Sequence, residues 1–371
     1  MLPRTHSAWA GNAKDGAAND SQQTKLSAKL KSTAPTMSRV RIGVLGCGRI
    51  GRMHAELIAR HVHNTELVTV YDLIADTAAA VAKELGVRHA SVPEEVITAP
   101  DIDAVAICSP THTHVDLLLK TAAAQKGAFV EKPLALNLAE VDKGIAAAEA
   151  AGIPVQIGFN RRFDPSHRYV RDQVANNEIG DVHLVRISSR DPTPPPLMPL
   201  DESGGIFCDM TIHDFDMIRF ITNSEVTEVY ATGAVRIDKA IAKVGDLDTA
   251  VIVCTHENGV ISTIDNSRQA VYGYDQRVEA FGSAGMAASE NPLSATAVTR
   301  TAQGSQAPTL PYFFVERYIP SYVAGWEAFA NMMAGAPSPV TLADGRAPLV
   351  IGLAAWRSIH EQRPVRTEEI G

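Results

Sequence analysis

The chain has 371 residues, 45% of them apolar and 20% charged, and a formal net charge of −8. That length predicts roughly two or three domains with a core that needs neither disulfide nor metal, and the acidic balance excludes nucleic acid or an anionic membrane as the main partner. No apolar run approaches the ~18–20 residues of a membrane span. The four cysteines, Cys47, Cys108, Cys208 and Cys254, form no CxxC pair and read as buried thiols in a reducing, cytoplasmic setting.

Residues 1–37 read as an extension. Up to Thr36 they are rich in Ala, Ser, Asn, Gln and Lys and contain no Val, Ile or Phe, so they bury too little apolar surface to offset ordering entropy and are expected to be disordered. Two other readings stay open: a chain that starts at Met37, and an organelle-targeting peptide, against which the scarcity of arginine counts.

From Val40 the pattern alternates. Short β-branched runs at Val40–Leu45, Glu66–Tyr71, Ala104–Cys108, Ala128–Val130 and Pro154–Gly158 predict strands. Between them Arg49–His61, Ile74–Leu85, His112–Ala124 and Leu138–Ala151 predict helices, the last with Asn137 as its N-cap. This is a βαβ rhythm, a parallel sheet with helices on both faces, over residues 38–160. After Pro165 strands follow one another directly. Ala250–Thr255 and Val260–Ile264 flank Asn258-Gly259, a hairpin signal, and Val226–Ile237 and Arg277–Phe281 add strands. A helix is expected over Asp209–Ile221 and two more at Val323–Met333 and Arg346–His360. Residues 161–371 are therefore predicted to be a second, α+β domain with a large, mostly antiparallel open-faced sheet, its C-terminal helices packing on either domain.

Gly46-Cys47-Gly48-Arg49-Ile50-Gly51 follows the first strand and opens the first helix. The glycines allow a tight turn, close approach to a pyrophosphate and close helix–strand packing, and the helix N-terminus presents free N–H groups to phosphate. Asp72 closes the next strand ~20 residues on, where a carboxylate accepts from ribose hydroxyls and repels a 2′-phosphate, so NAD is expected rather than NADP. Ser109, Thr111 and His114 follow another strand and are expected to line the cofactor crevice, although Thr111 serves equally well as an N-cap.

Glu131-Lys132-Pro133 also follows a strand. A lysine there could stabilise a developing alkoxide, although alone it reads as a surface lysine. Asp209 and His213 lie four apart. On one helix they share a face, so that the carboxylate orients the imidazole and raises its pKa, or else they form a surface ion pair. Gly204-Gly205 would let backbone approach a ligand. His213 has neither HExxH nor CxxC company, so no metal is expected.

Taken together, these motifs resemble the glucose-fructose oxidoreductase / inositol dehydrogenase / rhizopine-catabolism (Gfo/Idh/MocA) family from Val40 almost to the C-terminus. The segments Gln156–Asp164, Gly204–Asp216 and Asn266–Arg277 carry the likeness most specifically. The resemblance implies NAD-dependent oxidation of a cyclic polyol, myo-inositol at its axial 2-position, through Lys132, Asp209 and His213. His213 would accept the hydroxyl proton, Asp209 would orient it, and Lys132 would hold the reacting oxygen. Substrate contacts are implied at Arg161, Asp191 and Tyr272, with Tyr274 on the same strand face as Tyr272, and cofactor contacts at Arg49, Ile50 and Glu131. A homotetramer packed through the open sheet face is implied as well. Scyllo-inositol, a rhizopine or an aldose as substrate, an NAD-dependent glycosidase and a non-catalytic NAD sensor are the rival readings.

Overall fold

A computed structural model describes residues 39–371; the predicted extension lies outside them. Six strands, β1 (Val40–Leu45), β2 (Thr65–Tyr71), β3 (Arg88–His89), β4 (Ala104–Ile107), β5 (Gly127–Val130) and β6 (Val155–Ile157), form a parallel sheet in the order β3-β2-β1-β4-β5-β6. Strands β4 and β5 are buried along their whole length, as continuous apolar runs covered on both faces must be. The intervening helices are α1 (Arg49–Arg60), α2 (Ala75–Leu85), α3 (Pro93–Ile97), α4 (His114–Ala123) and α5 (Leu138–Ala151). Asn137 caps α5 by accepting from the Glu140 N–H at 2.9 Å. Thr111 caps nothing: it begins a single 3₁₀ turn whose flanking residue is Pro110.

After helix α6 (Pro165–Ala175), strands β7 (Val182–Arg190), β8 (Val226–Ala234), β9 (Thr249–His256), β10 (Ile261–Ser267), β11 (Asp275–Gly282), β12 (Gly285–Ser289) and the terminal β13 (Val365–Arg366) build a second sheet. Its order is β12-β11-β7-β10-β9-β8-β13, antiparallel except for the β7–β10 pair. The β9–β10 hairpin turns at Gly259, whose φ of +84° only glycine adopts freely. One face of this sheet is covered by apolar residues of α6 and of helices α8 and α10 defined below.

The helix expected over Asp209–Ile221 is two helices, α7 (Gly205–Asp209) and α8 (Ile212–Thr222). The break has a local cause. The Ile206 carbonyl accepts the N–H groups of both Met210 and Thr211, and the Thr211 hydroxyl as well, which ends the regular ladder. What approaches Gly204-Gly205 is protein: a Cβ on Gly205 would stand 2.4 Å from Leu200 and one on Gly204 2.5 Å from Cys208.

The last two helices, α9 (Phe314–Met333) and α10 (Leu342–Glu361), tie the sheets together. Tyr318, Tyr322, Trp326 and Phe329 of α9 join Ile42, Val44 and Phe129 in the core of the first sheet. Helix α10 places Leu349 in that sheet's other core layer and Ile351, Ala354 and Ala355 against the second sheet. Residues 39–371 thus form one compact unit; the first sheet's last strand ends at Ile157 and the second sheet's first strand begins at Val182.

Candidate active site

The site forms where the carboxyl ends of β1, β4 and β5 meet α8, β7 and α9. Around the glycine turn each glycine has a different neighbour. A Cβ on Gly46, at φ +95°, would strike the Cys108 backbone at 2.7 Å, and one on Gly51 would strike the Gly46 carbonyl at 1.9 Å, so these two pack protein on protein. A Cβ on Gly48 would meet nothing within 4 Å, so this position alone faces open space. The first bond of α1 is donated by the Arg52 N–H to the Gly48 carbonyl at 2.8 Å, which leaves the N–H groups of the helix's first turn, Arg49 to Gly51, without a helical acceptor. Asp72 accepts from the N–H groups of Cys47 at 2.7 Å and Ile74 at 2.8 Å, and this pins its carboxylate against the glycine turn. Open backbone, free N–H groups and a fixed carboxylate fit a dinucleotide whose ribose carries no phosphate.

A chamber of about 480 Å³ adjoins this turn. Arg49 and Ile50, Ser109, Thr111 and His114, and Glu131 and Lys132 line one side; Arg161, Asp191, Asp209, His213 and Tyr274 line the other. Segment 192–196, Pro-Thr-Pro-Pro-Pro, runs along it and also borders an outer cavity of about 1060 Å³ that shares Lys132 and Asp209. The Arg49 guanidinium lies 5.1 Å and 5.6 Å from the ring centres of Phe313 and Phe314, which clamps the glycine turn to the start of α9.

Lys132 bridges the two halves. Its Nζ donates to the Asp209 carbonyl at 2.8 Å, and its backbone N–H donates to the Glu131 carboxylate at 3.1 Å. Glu131 is buried, and both its oxygens are occupied within the protein, the second by His54 Nε2 at 2.8 Å. Its carboxylate is therefore held by protein groups on both oxygens. His114 is likewise a brace: its ring nitrogens meet the carbonyls of Pro133 and Ser109, each at 2.8 Å, and burial pushes its pKa down. The Ser109 hydroxyl pairs with that of Thr113 at 2.6 Å.

Asp209 and His213 line the same chamber but do not touch as expected. The helix break sends the Asp209 carboxylate to Arg268 Nη1 at 3.1 Å. His213 Nδ1 is buried without a partner, so the half-buried ring meets the chamber through its Nε2 edge and is held by Phe159, edge-on at 6.0 Å. No carboxylate raises its pKa. Burial, then the positive charges of Lys132 and Arg161, push it well below the ordinary histidine value. Arg161 is buried and paired to Asp214 at 2.5 Å and to the Ser189 hydroxyl at 3.0 Å, with Nη2 3.4 Å from the Tyr274 hydroxyl. Asp191 has its pKa pushed up to about 6, first by desolvation, with Arg268 opposing and Asp209 assisting.

Tyr272 is not at the site. It sits in a turn rather than a strand, 45% exposed, and its hydroxyl is engaged by Asp275 at 2.7 Å and Arg190 at 3.1 Å. Tyr274, at the next strand's edge, faces the chamber instead. Arg268 was missed by sequence reasoning, although it lies in the specific segment Asn266–Arg277; it is buried and joins Asp209 to Asp246. Tyr318 and Tyr322 were missed too, because nothing local links α9 to the glycine turn.

The family pattern described as an oxidoreductase family with an NAD-binding Rossmann fold matches residues 40–159, and the Gfo/Idh/MocA C-terminal domain matches residues 167–288. The chain belongs to the Gfo/Idh/MocA oxidoreductase family. Among relatives, a myo-inositol 2-dehydrogenase of Thermotoga maritima is 46% identical over 333 residues, 89% of this chain and 99% of the relative. A solved dehydrogenase from Thermotoga maritima superposes with a TM-score of 0.87 at 45% identity, covering 89% of this chain and all of that one. The scyllo-inositol dehydrogenase of Lactobacillus casei, solved with NAD(H) and scyllo-inositol, gives 0.83 at 29% identity over 89% and 100% of the two chains. The Gfo/Idh/MocA assignment makes the glycine turn and Asp72 part of an NAD-binding domain, in accord with their geometry.

Proposed function

We propose that this enzyme oxidises myo-inositol at its axial 2-hydroxyl to the 2-ketone, with NAD as the hydride acceptor. The observation that carries the reading is convergence: Lys132 from the end of β5 and His213 from the start of α8 line one chamber next to the glycine turn. Bound NAD supplies the electrophilic carbon that takes the carbinol hydride. Lys132 commits one N–H to the Asp209 carbonyl and keeps two for the reacting oxygen, whose developing negative charge it stabilises. His213 takes the hydroxyl proton at Nε2. Asp209, fixed by Arg268 through one oxygen, offers the other to an adjacent hydroxyl, and Asp191 and Arg161 bound the far side of the ring. Ser109, Thr111 and Ile50 border the cofactor's path.

The test is NADH formation with myo-inositol, scyllo-inositol, D-chiro-inositol, glucose and xylose. Myo-inositol is expected to give the highest kcat/KM; faster turnover of glucose or xylose than of every inositol overturns the assignment. Four buried free thiols fit a reducing cytoplasm, and among the described residues no helix is long and apolar enough to cross a membrane.

The second sheet carries a band of half-exposed apolar side chains on its uncovered face. Met286, Phe281, Leu184 and Ile261 are consecutive cross-strand neighbours, and Val253 and Tyr230 continue the band. A second copy of the chain is the fitting cover, which supports a homotetramer built on this face. Phe281→Glu together with Leu184→Glu is expected to halve or quarter the particle mass in light scattering, because two carboxylates would be buried without partners. An unchanged mass removes the face from the assembly.

A further inference from the structure

Below Lys132 lies a hydrogen-bonded file that the chemistry above leaves unused. Trp326 on α9 donates its Nε1–H to His54 Nδ1 at 2.9 Å, and His54 Nε2 stands 2.8 Å from Glu131 Oε1. Glu131 Oε2 then accepts the Lys132 backbone N–H at 3.1 Å. An indole nitrogen can only donate, so His54 Nδ1 carries the lone pair and its proton sits on Nε2, aimed at the carboxylate. One tautomer satisfies the whole file. His54 is fully buried, and the rings of Phe129, Tyr322 and Trp326 surround it edge-on at 5.0, 5.4 and 5.6 Å. Behind Glu131, a Cβ on Gly158 would come within 3.0 Å of the carboxylate, so the file has little freedom on that side either.

The arrangement joins three distant parts of the chain. Lys132 is gripped at its main chain by Glu131 and at its Nζ by the Asp209 carbonyl. Without the first grip, the Lys132 main chain would be held only through its neighbours, by the Glu131 N–H on the Ile107 carbonyl and by the Pro133 carbonyl against His114. A shift of about 1 Å in a group that holds a reacting atom can cost ~10²-fold in rate.

We infer that Trp326, His54 and Glu131 are positioning residues that fix Lys132 for the transfer step and tie its placement to the docking of helix α9. The inference rests on the reading of Lys132 as the group that holds the reacting oxygen.

His54→Leu removes both the donor to Glu131 and the acceptor for Trp326. His54→Gln keeps an amide N–H and a carbonyl to serve them. We expect H54L to lower kcat ~10–100-fold, with the KM values for NAD and for the polyol within about twofold of wild type. H54Q should recover most of that loss. Trp326→Phe keeps an aromatic ring and loses only the indole donor, so a fall of roughly 3–10-fold is expected; it decides the matter on the same readouts if H54L fails to fold. The rates are taken per NAD-binding site by titration of each variant, with the best polyol of the substrate panel. A kcat near wild type in H54L, or H54L and H54Q impaired equally, overturns the proposal. If wild-type enzyme turns over an aldose and no inositol, the substrate assignment fails while the file is still tested by the same ratio of rates. If Lys132→Ala is fully active, the role of Lys132 itself fails.

Discussion

Lys132→Ala is expected to lower kcat by ~10³-fold, about 4 kcal/mol of transition-state stabilisation, while NAD still binds. Hydride leaves an alcohol carbon readily only as the oxygen gains negative charge, and Lys132 is a cation on that side of the chamber held from both ends. One of its three N–H groups is spent on the Asp209 carbonyl, so the ammonium is aimed without being neutralised by a carboxylate. Alanine removes the charge and the aim together. The effect should fall on kcat and kcat/KM alike, since the interaction strengthens only as charge develops. Lys132→Arg is not expected to rescue: a planar guanidinium cannot occupy the same short reach to the carbonyl and the reacting oxygen. NAD titration by fluorescence and steady-state NADH formation check both halves. Activity within tenfold of wild type in Lys132→Ala would remove the lysine from the mechanism.

Much of this architecture was legible because its signals are local. The strand–helix alternation up to Pro154 reflects parallel strands buried on both faces, and the glycine turn with Asp72 needs only a strand, a turn and a helix in sequence. The site was less legible wherever its meaning depended on a neighbour far along the chain. The spacing of Asp209 and His213 implies a shared helix face only if the helix is continuous. The Thr211 hydroxyl and the Ile206 carbonyl break it, so the carboxylate goes to Arg268 and the imidazole is left without it. Tyr272 and Tyr274 were placed on one strand face, but a turn ending at Gly273, φ +117°, separates them and sends one to the surface. Helix α9 is the plainest case. Trp326 meets His54 across 272 residues, a contact with no periodicity or spacing to announce it.

The same displacement of Asp209 changes the expected pH dependence. A histidine beside a carboxylate would titrate above its ordinary value, and the rate would climb as it lost its proton near neutral pH. Here His213 is pushed well below that value by burial and by Lys132 and Arg161. It is therefore neutral, and able to accept a proton, throughout the neutral range; protonation removes it only in acid. Asp191 moves the other way, up to about 6, so it is the wall group that changes charge nearest neutrality, ionised above that pH and protonated below. We expect single-turnover hydride transfer at saturating inositol to be flat between about pH 7 and about pH 8 as far as His213 is concerned. The acid limb in kcat/KM should lie near Asp191's value and disappear in Asp191→Asn, which keeps the side chain's shape but cannot ionise. His213→Ala should lower the transfer rate ~10²–10⁴-fold across that range without moving NAD affinity. Single-turnover measurement matters, because slow release of NADH would flatten a steady-state profile for an unrelated reason. A limb centred at or above the ordinary histidine value that survives Asp191→Asn and vanishes in His213→Ala would show that a carboxylate does reach the imidazole in the working enzyme, and that the Arg268–Asp209 pair opens when substrate binds.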